Sequence, residues 1–150
     1  MAAVEDKDLG FHKIVSNLMG FDGAEVVVGV LRDAGKASDG KTDLVNVAAY
    51  NEYGTKFIPS RPFLRIATDE QGKAWQDLAE QGIGYVIDGK MNKRHVLTII
   101  GQRAKADVQK TLGSSKLKAN APSTVRQKGS SRPLIDEGTL RRRINYRIEE

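Results

Sequence analysis

The sequence predicts an α+β fold: a small mixed or antiparallel sheet packed by about three to four helices, with a long flexible basic arm. Three observations carry that expectation. A valine-rich run at residues 24–32 (AEVVVGVLR) reads as a strand, and so does an alternating run, Ile144, Tyr146 and Ile148, near the other end of the chain. Several stretches between and before them repeat apolar residues at helical spacing. Residues 113–132 carry five serines and no acid, with only Leu117 and Val125 as sizeable apolar residues, too little to offset the entropy of ordering them.

Taken in order, Leu9, Ile14, Val15 and Leu18 recur at near-helical spacing and predict a short amphipathic helix over 8–19. A Gly-Phe-Asp-Gly turn then leads into the valine strand. Residues 33–42 (DAGKASDGKT) are glycine-rich and polar, as a surface loop should be. Asp43 is placed to cap a helix with Leu44, Val47, Ala48 and Asn51 on one face, and Gly54 is placed to stop it. Two prolines, Pro59 and Pro62, fix an extended path. From Pro62 to about Glu80 the stripe Phe63, Ile66, Ala67, Ala74, Trp75 and Leu78 predicts a helix starting at a proline, with a break at Gly82-Ile-Gly84, the segment Tyr85–Ile87 and a turn at Asp88-Gly89. Helical spacing returns through Val96, Ile99, Ile100, Ala104, Val108 and Leu112. After the arm, the C-terminus reads as a turn, a short helical piece around 138–142 and the final strand.

At 150 residues the chain is the size of one domain, expected to span 1–150. No apolar run approaches the ~18–20 residues that span a bilayer, and the acidic N-terminus is unlike a secretory leader. Zero cysteines exclude disulfides and thiolate chemistry. Charge is segregated: residues 1–89 carry 9 Lys and Arg against 14 Asp and Glu, whereas 90–132 carry 11 against 1. Such a field implies a polyanionic partner or a charged docking surface.

Gly35-Lys-Ala-Ser-Asp-Gly40-Lys41-Thr42 matches the phosphate-loop pattern G-x-x-x-x-G-K-S/T, between a strand and a helix. In such a loop, backbone N–H groups wrap the phosphates, the lysine reaches the outer ones and the hydroxyl ligates magnesium. A small nucleotide-binding protein using Lys41 and Thr42 is therefore the alternative function. Against it, the surrounding pattern lacks the several alternating strands and helices of that fold. The two histidines, His12 and His95, read as partly exposed surface residues, and the adjacent carboxylate pairs as solvating charges. No metal site, cofactor or catalytic residue is expected. The basic stretch has no aromatic residue on which bases could stack.

Residues Val26–Leu31, then Val47-Ala-Ala-Tyr-Asn-Glu-Tyr-Gly-Thr55, then Ile58-Pro-Ser-Arg-Pro-Phe-Leu64 resemble the tail-component and virion-morphogenesis families of tailed bacteriophages. Pro133-Leu-Ile-Asp-Glu-Gly-Thr-Leu140 and the strand after it resemble the closing motif of those families, with Glu137 where threonine is common. The resemblance implies a small non-enzymatic subunit of the phage neck or tail-completion apparatus. It would form a homo-oligomeric ring, expected to be hexameric, between head connector and tail tube, and let DNA pass without sequence-specific binding. Its place would be the virion, after assembly in the host cytoplasm. On that reading Tyr53, Arg61 and Phe63 at the corner either pack the core or meet a neighbour. Lys116, Lys118, Arg126, Lys128 and Arg132 of the arm would face acidic surfaces of adjoining rings.

Overall fold

Two strands from opposite ends of the chain meet side by side. The computed structural model describes residues 10–37, 39–117 and 138–150. Strand β1 is Glu25–Val30 and β2 is Ile144–Glu149, paired antiparallel with Val26 opposite Ile148, Val28 opposite Tyr146 and Val30 opposite Ile144. Side chains alternate along a strand, so these three pairs share one face. That face is the packed one: Val28, Val30 and Ile144 join the core. Glu25, Val27, Arg147 and Glu149 share the other.

Five α-helices among the described residues complete the α+β fold: α1 Phe11–Met19, α2 Leu44–Tyr53, α3 Phe63–Ile87, α4 Lys93–Leu112 and α5 Thr139–Arg143. The long helices α3 and α4 form an antiparallel hairpin, and α4 also carries the sheet. Between the two helices, the Trp75 indole N–H donates to Asp107 Oδ2 at 2.8 Å, and Arg103 Nε donates to the same oxygen at 3.0 Å. Phe63, Leu112 and Ile144 are fully buried, and Leu44, Ala48, Ala67, Val108 and Leu140 close the core around them. None of these helices is long and apolar enough to cross a membrane.

The expected break at Gly82-Ile-Gly84 does not occur, and α3 runs unbroken through it. Gly82 is instead a point of close approach: a Cβ there would lie 2.3 Å from Val96 Cγ1 on α4. Tertiary contact outweighs the low helix propensity of glycine at that point. The α4 helix begins at Lys93, earlier than the apolar spacing predicts, because the Asn92 side chain caps it by accepting from the His95 N–H at 2.8 Å. Asp43 does not cap α2 with its side chain. Its backbone is extended and bridges to Lys36, and the Leu44 N–H donates to the Gly35 carbonyl at 3.0 Å.

The basic stretch also differs from an appendage. Residues 93–112 are the central helix α4, and the first residues of the expected arm turn back onto the body, with Leu117 buried in the core and Lys116 paired with Glu70. Lys90 pairs with Asp88, Lys93 and Arg94 with Glu150, and Arg103 with Asp107, so much of this charge is met by the chain's own carboxylates. Lys118, Arg126, Lys128, Arg132 and the rest of that arm lie outside the described residues.

Candidate functional site

The segments that carry the family resemblance, 51–55 and 58–64, form one bonded corner between α2 and α3. Proline at position 62 leaves α3 with no side-chain cap of its own. The first N–H groups of any helix lack intrahelical acceptors and favour a negative charge. Glu52 supplies both acceptor and charge from the last turn of α2: its Oε2 accepts from the Leu64 N–H at 2.9 Å, and its Oε1 accepts from the Arg65 N–H at 3.1 Å. Arg65 Nε also donates to Oε1 at 3.1 Å, which neutralises a carboxylate whose side chain is only 6% exposed.

Further bonds lock the corner. The Arg61 N–H donates to the Asn51 carbonyl at 2.6 Å and its guanidinium to Asn51 Oδ1 at 3.1 Å, while Ser60 Oγ donates to the Glu52 carbonyl at 2.9 Å. Partial burial lowers the Arg61 pKa from the usual guanidinium value through desolvation. Gly54, at φ +78°, passes so close to the following segment that a Cβ would lie 2.9 Å from the Ser60 nitrogen. Position 54 therefore admits only glycine without a shift of backbone.

From this corner a short turn projects outward. Thr55 Oγ1 accepts from the Phe57 N–H at 3.2 Å and the Ile58 N–H at 3.0 Å, and the Thr55 N–H donates to the Ile58 carbonyl at 2.8 Å. The turn holds Phe57 at 87% exposure, with Tyr53 at 75% and Tyr50 about half exposed beside it. Cations flank the rings: Lys56 Nζ lies 5.8 Å from the Phe57 centroid and the Arg65 guanidinium 5.6 Å from that of Tyr53. Exposed aromatic residues with cations on a rigid support have the composition of an interface anchor.

The sequence-derived candidates separate here. Tyr53 is on the exposed surface and Arg61 braces it from below. Phe63 has no exposed surface, so it is a core residue and not available to a partner. Lys116 is engaged with Glu70, well along α3 from the corner. Phe57, Lys56, Tyr50, Arg65 and Glu52 were not singled out by sequence, although an aromatic residue between Gly54 and Pro59, where no strand or helix could bury it, was a usable signal.

In the phosphate-loop-like segment the anion position is taken by the chain itself. Asp39 Oδ1 accepts from the Lys41 and Thr42 N–H groups, each at 2.9 Å, and Oδ2 accepts from the Thr42 hydroxyl at 2.6 Å. These bonds hold the Asp39 pKa at about 2, against an ordinary 3.8. The donors a phosphate would need are thus directed at a fixed carboxylate, which repels phosphate. Among the described residues no three His, Asp or Glu side chains gather as a metal site.

The chain matches none of the known protein families, curated proteins or solved structures with which it was compared.

Proposed function

We propose that this chain is a non-enzymatic structural subunit of a bacteriophage neck or tail-completion ring, joining the head connector to the tail tube while DNA passes. The observation that carries the proposal is the bonding of the two most specific resembling segments, Asn51–Thr55 and Ser60–Phe63, into one rigid corner through Asn51, Glu52, Ser60 and Arg61. A subunit repeated around a ring has to present its contact residues at a fixed angle, since small angular errors accumulate on closure. The corner meets that requirement and carries exposed Tyr50, Tyr53 and Phe57 on its outside. Its partners would be further copies of this chain and the adjoining neck proteins, and its location the virion after assembly in the host cytoplasm.

The test is genetic and visual. Particles made without this chain should accumulate as filled heads and separate tails, and supplying the protein in trans should restore joining. Normal joining in its absence would reject the proposal. The nucleotide-binding alternative has the sequence pattern behind it but meets Asp39 at the anion position.

A further inference from the structure

A shallow apolar groove lies at the far end of the α3–α4 hairpin, lined by Leu78, Gly82, Tyr85, Met91, Val96 and Ile99. It exists because Gly82 brings the helices together without a side chain of its own. The open space within it is about 290 Å³, just under the range of small-molecule pockets. That is room for a single large side chain. Carboxylates and lysines share its rim: Asp77, Glu80 and Asp88 against Lys73 and Lys90, of which Lys73 pairs with Asp77 and Lys90 with Asp88. Glu80 has only the Gln76 amide as a partner, at 3.1 Å, and is left as an exposed negative charge.

The corner offers the complementary shape and charge. Phe57 projects as a single apolar knob, with Lys56 beside it and Arg65 over Tyr53. Knob and groove cannot meet within one molecule. Arg65 and Gln81 are sixteen residues apart on the same straight helix, about 24 Å along its axis. We infer that Phe57 of one copy seats in the Leu78–Ile99 groove of the next, with Lys56 meeting Glu80, so that copies join head to tail. Two different patches on one chain make a heterologous contact, which propagates until it closes into a ring. The inference deepens the ring reading and rests on it for closure.

The chain has no cysteine, so a designed pair reports cleanly. Lys56→Cys combined with Glu80→Cys leaves Phe57 in place and alters only exposed positions. Mild oxidation of the concentrated protein should give a ladder of covalent dimer, trimer and larger species that collapses on reduction. Adding Phe57→Ala should abolish the ladder while the thermal melt stays unchanged. Monomer alone, a dimer as the sole product, or a ladder indifferent to Phe57→Ala would each overturn the inference. The two readings fail separately: a neck ring with no ladder leaves the ring and removes this contact, and a ladder from a protein absent from particles does the reverse.

Discussion

Gly101 on α4 lies directly beneath the ring of Tyr146 on β2, so close that a Cβ at position 101 would fall 2.2 Å from Tyr146 Cδ2. This contact seats the sheet on the central helix. Helix propensity alone favours alanine over glycine by about 1 kcal/mol. Here steric overlap reverses the sign, and Gly101→Ala should destabilise by about 1–3 kcal/mol through displacement of the ring. The matched control is Gly72 on α3, where the nearest atom to a Cβ is Thr68 Cγ2 at 4.0 Å. Gly72→Ala should stabilise by about 0.5–1 kcal/mol. Chemical denaturation of the two variants measures both signs.

Glu52→Ala should destabilise by about 2–3 kcal/mol, because it removes the only acceptor described for the Leu64 and Arg65 N–H groups and leaves Arg65 without its carboxylate. Glu52→Gln retains one acceptor oxygen and should fall between. Amide exchange localises the effect: the first turn of α3 should lose protection in Glu52→Ala while α4 keeps it. Equal loss throughout would mean that Glu52 acts on the whole fold and not as a cap.

Phe63→Ala should cost about 3–5 kcal/mol in the isolated subunit, the usual range for deleting a fully buried phenylalanine. Phe57→Ala, at an exposed site, should stay within about 0.5 kcal/mol of the parent. Denaturation midpoints of the two variants separate the core aromatic from the surface one, and a large cost at Phe57 would mean that its ring packs on its own molecule.

Asp39 sets a pH dependence whose sign is fixed. Its folded pKa, about 2, lies below the ordinary 3.8 because the charged form accepts from the Thr42 hydroxyl and from the Thr42 and Lys41 N–H groups. Its contribution to the loop is therefore complete above 3.8 and lost as pH falls through about 2. An NMR titration should find the Thr42 amide shifting with that low midpoint. A midpoint near the ordinary value would mean that the loop is open in solution. Lys41→Ala and Thr42→Ala should fold and assemble like the parent, and a fluorescent ATP analogue should not bind.

Much of the architecture was legible because it follows from local pattern. The valine run and the alternating Ile144, Tyr146 and Ile148 became the two strands, and the stripes through Ala67 and Val108 became the long helices. What sequence spacing concealed was long-range. Gly82 looked like a break because its reason for being glycine, Val96, lies on another helix. Glu52 looked like a surface acid because the N–H groups it satisfies are twelve and thirteen residues on. Within the phosphate-loop match, attention to the fixed glycine, lysine and threonine positions passed over Asp39, the residue that binds the loop's donors. At the candidate site, Tyr53 and Arg61 were recognisable from their motif, whereas Phe57 gained its meaning only from the turn that exposes it.

The central claim is that copies of this chain form a ring at the junction of head and tail. Electron cryomicroscopy of the intact particle, at a resolution that traces the 25-residue helix α3, tests it most directly. The account expects repeated copies of the α3–α4 hairpin encircling the DNA channel between connector and tail tube. A junction fully built from other chains, with none of this one in it, would contradict the account.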